Sequence, residues 1–305
     1  MSEHHHPFTC TKCWQDRWEE LKEAKGERRA QVLWILSGYA YRAKQFGHAL
    51  ELAQESLDIY LTDANRREEQ ADALTSIASA LWGLERKDEA YLHLRTALDI
   101  YRETNPSYSK VWENQLCWWL FQDELYEESL AAYLHTLELN RAEKDDEAAS
   151  FDLLMIGRCL FYLERYADSI PHFHEARDLA KSNGDHRHTA MADFNIGEAY
   201  VYLGDGFEGE IYCRKALTIF EQYGHQTYIA ETHKMIGMAQ SLQGQYDEAI
   251  ASLRRAASEF STADEKKFEE IVATNTELIK NLRIVGAEEE AQAIEVRTST
   301  IKELL

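Results

Sequence analysis

The sequence predicts an all-α protein, an array of about seven helical hairpins preceded by one capping helix. Its 305 residues include only 3 Pro and 14 Gly, too few for the many tight turns of a strand-rich protein. The tetrapeptide Leu57-Asp58-Ile59-Tyr60 recurs intact 41 residues later, as Leu98-Asp99-Ile100-Tyr101. A repeat of this length is typical of architectures that stack one helical hairpin on the next.

Small residues mark one register along the chain, at intervals of 39 to 42 residues. They are Ala49, Ala90, Ser129, Ser169, Gly209, Ala249 and Ala291. A second small residue follows each of them seven positions later, on the same helix face because seven residues are two turns. Small residues let two helices approach closely, and a single hairpin cannot bury both of its faces alone. We therefore expect each unit to be a hairpin that stacks on its neighbours.

The units resemble the tetratricopeptide repeat, most fully in Ile196-Gly197-Glu198-Ala199-Tyr200 and in the segment Gly237–Ala256. The resemblance covers residues 27–305 and implies a right-handed superhelical solenoid of about seven hairpins. The period of about 40 residues exceeds the usual 34, and the family's Pro after the second helix is missing. The longer period is similar to that of a subclass with extended helices, found in scaffolding proteins and in bacterial peptide-pheromone receptors.

The N-terminal residues are predicted to form two elements outside the repeats. Residues 14–26, with Trp14, Trp18 and Leu21 at helical spacing, are expected to be an amphipathic helix that caps the first repeat. Residues 1–13 form an arm in which two thiolates and two imidazoles could bind tetrahedral zinc, the candidate ligands being His4, His6, Cys10 and Cys13. The pattern is half of a zinc motif, so a free dithiol or a redox pair remains an alternative.

The composition excludes several classes of function. With 33 Lys+Arg against 54 Asp+Glu the net charge is −21, and this surface repels a nucleic-acid backbone. No stretch approaches about 18 uninterrupted apolar residues, so we expect no membrane span and a cytoplasmic protein. No catalytic motif has its required spacing, and we predict no enzyme and no cofactor other than the possible zinc.

One glycine pattern imitates a nucleotide-binding motif. Residues Gly204–Gly209 have the spacing of the dinucleotide fingerprint. However, Gly204 occupies the turn between two repeat helices and Gly209 belongs to the small-residue register. We interpret the pattern as structural, because the strand–helix–strand context of the fingerprint is absent.

The resemblance also implies a binding surface, because the first helix of each tetratricopeptide repeat lines the concave face. The positions that correspond to that face are rich in aromatic residues and Met, and we expect them to be exposed to solvent as a peptide-binding groove. They include Asn114, Gln115, Trp118, Phe121, Phe151, Met155, Arg158, Tyr162, Phe194, Asn195, Glu198, Tyr202, Lys234 and Met238.

The sequence thus predicts a non-catalytic scaffold or adaptor that binds a protein or peptide. Asn114, Gln115 and Asn195 would bond the peptide backbone, and Arg158 and Lys234 would receive an acidic group. An alternative is a peptide-sensing regulator resembling the bacterial pheromone receptors, or a zinc-dependent function of the N-terminal arm. A second alternative is that a tightly wound solenoid buries these side chains against one another or against a second copy of the chain.

Overall fold

The computed structural model describes residues 11–262 and 267–303, in which it contains fifteen α-helices and no strand. The all-α prediction is confirmed. The helices are α1 (Thr11–Glu23), α2 (Gly26–Arg42), α3 (Phe46–Tyr60), α4 (Arg67–Gly83), α5 (Lys87–Thr104), α6 (Pro106–Gln122), α7 (Tyr126–Glu143), α8 (Asp146–Tyr162), α9 (Tyr166–Ser182), α10 (His186–Tyr202), α11 (Gly206–Tyr223), α12 (Gln226–Leu242), α13 (Tyr246–Thr262), α14 (Phe268–Ile284) and α15 (Glu288–Lys302).

Helices α2 to α15 follow one another along the chain as seven successive pairs, as the repeat register predicts. The chain divides into two compact units, residues 1–119 and 120–305. In the second unit each helix packs against the next one along the chain, and the first helices α8, α10, α12 and α14 also contact one another in succession. None of the helices in the described ranges is long and apolar enough to cross a membrane.

The small-residue register lies where the two helices of a hairpin meet. Ala90 and Ala249 are fully buried, and Gly209 lies in the interface between α10 and α11. A Cβ atom added to Gly197 would lie 2.6 Å from Cys213 Sγ and 2.9 Å from Gly209 O. The close approach of the helices therefore requires residues without bulk at these positions.

The turns between helices share one backbone conformation. A left-handed residue stands in ten of the turns that connect α2 to α15 in the described chain, with φ between 58° and 83°. Glycine occupies this position at 184, 204, 224, 244 and 286, whereas the residues there are Lys44, Glu85, Glu124, Lys144 and Glu164 in the other five turns. In the turns at 144, 184 and 204 the next residue is Asp, whose side chain accepts a backbone N–H and caps the following helix. Gly204 is thus a turn residue, in agreement with the structural interpretation of the fingerprint-like pattern.

The first helix, α1, packs on α2 at the N-terminal end of the first unit. It begins at Thr11 and ends at Glu23, three residues earlier at each end than the expected capping helix. The Trp14 ring lies 5.6 Å from the Tyr39 ring, and Trp18 stacks on His48 with centroids 5.6 Å apart. Leu21 completes this contact as a buried side chain.

Candidate functional site

A cavity of about 440 Å³ lies in the second unit, on the face formed by the first helices α8, α10, α12 and α14. The face is continuous because these helices contact one another from repeat to repeat. Six of the side chains predicted to bind a peptide line this one cavity: Arg158, Tyr162, Phe194, Asn195, Glu198 and Lys234.

A chain of aromatic rings in mostly edge-to-face contact, which we call the aromatic ladder, runs beside the cavity. Its members are Phe121, Tyr126, Phe161, Tyr162, Tyr166 and Tyr202, and each ring lies 4.9 to 5.8 Å from its neighbours. Tyr162 and Tyr202 are the most exposed, at 46% and 49%. Large aromatic rings held half in solvent by their neighbours form a preorganised apolar contact surface.

Arg158 lies against the aromatic ladder. Its guanidinium carbon is 5.0 Å from the centre of the Phe121 ring and 5.9 Å from that of Tyr162, and Nη2 donates to the Tyr162 hydroxyl at 3.5 Å. Such contacts hold a guanidinium over aromatic rings by cation–π attraction. No carboxylate in the described ranges forms an ion pair with Arg158, so its remaining donors face the cavity.

Glu198 supplies an opposite charge in the same cavity. Its side chain is partly buried on α10 and makes no hydrogen bond or ion pair with any residue of the described chain. Burial raises the pKa of Glu198 to about 7, and the nearby carboxylates of Glu231 and Glu270 also raise it, while Lys234 and Arg158 oppose the rise. The free protein therefore holds a poorly solvated carboxyl group without a partner.

The other charged side chains of the cavity are already paired. Lys234 Nζ lies 2.6 Å from Glu270 Oε2, and Lys267 Nζ lies 3.2 Å from Glu231 Oε1. Both pairs link α12 to the beginning of α14. We expected Lys234 to receive an acidic group of a ligand. The structure places it in an ion pair instead, because α14 brings a carboxylate to it from the next repeat.

The expectation of solvent exposure is wrong for four of the predicted groove residues. Phe121, Met155, Phe194 and Asn195 are buried, with 2 to 7% of their surface exposed. Phe194 packs in a core cluster with residues of α11 and α12. These side chains support the wall of the groove, because neighbouring first helices lie close enough to cover them.

The remaining predicted groove residues are distributed over both units. Asn114, Gln115 and Trp118 lie on the part of α6 that belongs to the first unit, where Trp118 is 41% exposed. In the second unit, Phe151 and Met238 are partly buried, and the Phe151 ring contacts those of Tyr133 and His188.

Two charged residues of the site, Lys267 and Glu270, were not singled out by the sequence. They pair with Glu231 and Lys234, while Phe161, Tyr126 and Tyr166 complete the aromatic ladder. Tyr126 and Tyr166 each begin the second helix of a hairpin, and Tyr162 and Tyr202 each end a first helix. This regular placement of aromatic residues on both sides of the turn was the available signal for the ladder.

The predicted zinc ligands cannot be placed in the same way. His4, His6 and Cys10 lie outside the described residues, as does the side chain of Cys13. Among the residues that the structure describes, no group of three or more His, Cys, Asp or Glu side chains is arranged to hold a metal ion.

Sequence comparison identifies the repeats directly. Models of the tetratricopeptide repeat match residues 71–104 and 188–258. The second match contains nearly all of α10, the whole of α12 and three charged residues of the cavity, Glu198, Glu231 and Lys234. No curated protein matches the chain.

Solved structures with the same fold are similar over nearly the whole chain. One is a signal transduction ATPase with numerous domains from Pyrococcus horikoshii, which has a tetratricopeptide repeat sensor; it is 16% identical, with a TM-score of 0.72, and the match covers 95% of this chain and 44% of that protein. This chain thus spans less than half the length of that protein. Aspartyl phosphate phosphatase F from Bacillus subtilis is 16% identical, with a TM-score of 0.63 and coverage of 99% and 78%. The apo quorum sensor NprR from B. thuringiensis is 10% identical, with a TM-score of 0.58 and coverage of 95% and 92%.

Proposed function

We propose that this chain, a tetratricopeptide-repeat protein, is a non-catalytic adaptor that binds a peptide or protein segment on the face formed by α8, α10, α12 and α14. The observation that carries the proposal is the open cavity of about 440 Å³, bordered by the aromatic ladder and containing Glu198 and Arg158 without ion-pair partners. Apolar rings beside a few polar groups are the usual composition of a ligand site.

The exposed aromatic rings are better suited to contact a ligand than to stabilise the fold. The hydroxyl-bearing rings of Tyr162 and Tyr202 leave nearly half of their surface in water. A ligand that covers them would remove apolar surface from solvent at about 25 cal/mol per Å² without having to order these side chains, since the ladder already holds them. Aromatic anchors of this kind commonly dominate the energy of an interface.

A regulatory form of the same function has support from the structural comparisons. Two of the proteins with this fold are described as a quorum sensor and as an ATPase with a repeat sensor. The second candidate function is therefore a sensor in which ligand binding on this face controls a partner. We place the protein in the cytoplasm, consistent with the three buried cysteines of the described chain that form no disulfide.

Selection from a random library tests the proposal without knowledge of the natural ligand. A phage library of random 12-residue peptides is panned on the immobilised protein, and the enriched peptides are synthesised with a fluorescent label. Tyr162→Ala and Tyr202→Ala should each weaken their binding by about tenfold or more, whereas folding monitored by circular dichroism should be unchanged.

A matched tyrosine provides the control. Tyr223, at the end of the second helix α11, is 50% exposed, close to the 49% of Tyr202, but it belongs neither to the aromatic ladder nor to a first helix. Tyr223→Ala should leave the affinity unchanged. Failure to enrich any peptide family, or equal losses in all three variants, would contradict a binding site on the first-helix face.

We retain zinc binding by the N-terminal arm as a separate proposal. The thiols of Cys10 and Cys13 would be deprotonated by the metal and would supply half of a tetrahedral site. Elemental analysis should find zinc in the full chain and none in the Cys10→Ser/Cys13→Ser variant. Zinc retained by that variant would show that the zinc ligands lie elsewhere in the chain.

A further inference from the structure

We infer that the cavity is selective for a segment that places a cationic side chain, most favourably that of arginine, against the carboxylate of Glu198. The inference rests on the proposed function and names the chemistry of its ligand. The occupant is a basic segment of a partner protein or peptide.

The first step is the absence of an internal partner for Glu198. Within the described ranges the carboxyl group accepts no hydrogen bond, although it lies partly buried among three cations. Lys234 and Lys267 are held by Glu270 and Glu231, and Arg158 is held over aromatic rings. A poorly solvated carboxylate is costly unless a donor satisfies it, and a ligand that covers the cavity can supply that donor.

The second step concerns the surroundings of Glu198. Tyr202 lies one helical turn further along α10 and exposes half of its surface. A planar guanidinium can stack on such a ring while it donates two hydrogen bonds to a carboxylate. An ammonium group offers neither the planar face nor the paired donors, so arginine fits this corner better than lysine.

The third step is the order of charges along the face. Arg158, Glu198 and Met238 occupy the same position in three successive repeats, 40 residues apart. A ligand that crosses α8, α10 and α12 therefore meets a cation, an anion and an apolar side chain in turn. The complementary ligand offers an acceptor, then the cationic group, then an apolar residue. The net charge of −21 for the whole chain also favours a basic partner over an acidic one.

The probe is the labelled 12-residue peptide most enriched in the selection described above, together with its copy in which citrulline replaces arginine. Citrulline keeps the shape of arginine and removes its charge. The wild-type protein should bind the arginine peptide at least tenfold more tightly than the citrulline copy. Glu198→Gln should remove this difference, and Glu198→Arg should reverse it in favour of a copy with Glu in place of the arginine.

Glu138→Gln is the matched control. Glu138 lies on α7 in the same unit, is exposed, and does not line the cavity. This variant should keep the full preference for arginine.

The pH dependence gives a second readout. Glu198, which has a pKa of about 7, shares the cavity with Arg158 from α8, Lys234 and Glu231 from α12, and Lys267 and Glu270 at the beginning of α14. If only the ionised form binds the guanidinium, the affinity for the arginine peptide should rise about tenfold between pH 6 and pH 8. The affinity for the citrulline copy should stay constant over this range.

The outcomes separate this inference from the proposed function. Enriched peptides without a basic residue, or equal binding of the arginine and citrulline copies by the wild-type protein, overturn the inference and leave the peptide-binding function standing. Selection that yields no binding peptide overturns both. A tenfold preference that disappears only in the Glu198 variants supports both.

Discussion

Replacing Glu198 by Gln should stabilise the free protein above neutral pH. Glu198 has a normal carboxyl pKa of 4.5 in the unfolded chain and a pKa of about 7 when folded. Because the folded state binds the proton more tightly, the free energy of unfolding falls as the pH rises from 4.5 to 7 and then stays low. At about 1.4 kcal/mol for each tenfold change in the ionisation constant, the ionised group costs up to about 3 kcal/mol. Glutamine does not ionise and avoids this cost.

The measurement is the difference in unfolding free energy between the variant and the wild-type protein at pH 4.5 and at pH 8. The variant should be within about 0.5 kcal/mol of wild type at pH 4.5 and more stable by about 2 to 3 kcal/mol at pH 8. Other carboxylates titrate over the same range, but they cancel in the difference. The exposed Glu138→Gln should show no gain at either pH.

The positions of the tryptophan residues determine which method can detect the stabilisation of the second unit. All 7 Trp residues lie at or before position 119, within the first unit. Tryptophan fluorescence therefore reports on the unit that lacks Glu198 and should not change in the variant. Hydrogen exchange of the α10 amides reports on the second unit, and their protection at pH 8 should increase. No gain at pH 8, or an equal gain at pH 4.5, would refute the picture of Glu198 as a strained, unpartnered carboxyl group.

Three further predictions concern packing and reactivity. Gly197→Ala should lower the stability by about 1 to 3 kcal/mol in chemical denaturation, because its Cβ would meet backbone atoms of α11 at 2.9 Å. Gly38→Ala, in α2 at a position with nothing within 4 Å of the added Cβ, should be neutral or stabilising by up to about 1 kcal/mol. Equal effects of the two changes would contradict the described interfaces. Phe194→Ala should lower the stability by about 3 kcal/mol or more, because Phe194 belongs to the core. Full stability of this variant in the same assay would show instead that Phe194 lies on the ligand-contacting surface. The three buried cysteines of the described chain should not react with a thiol reagent at pH 8 until the protein is unfolded, since burial raises the pKa of Cys159 to about 11. The assay uses a variant without the two N-terminal cysteines. Rapid reaction of this folded variant with the reagent would show that the three thiols are accessible.

The repeat architecture could be predicted from the sequence because its rules are local. A small residue such as Ala249 is needed wherever the two helices of a hairpin meet, and the turn needs a residue in the left-handed conformation, which is glycine in five turns and Lys or Glu in five others. Both requirements recur with the repeat, so the number of hairpins and the positions of their turns follow from spacing alone.

The site was predicted less well because its properties depend on contacts between repeats. Their positions in the repeat placed Phe194 and Lys234 on the binding face. These positions could not show that the Phe194 ring is buried or that Lys234 forms an ion pair with Glu270. Glu198, which the sequence assigned to the groove, lines the cavity. Its lack of a partner became visible only when the side chains of α8, α12 and α14 could be considered together.

The left-handed turn residues also bear on how this protein could be redesigned. Five of the turns hold Lys or Glu in a conformation that costs an L-residue about 1 kcal/mol or more, while the equivalent turns later in the chain use glycine. Each of these five positions is a place where exchange for glycine would recover stability without touching a helix interface. A consensus version of the repeat could therefore be made considerably more robust through its turns alone, leaving the first-helix face free to be varied for new ligands.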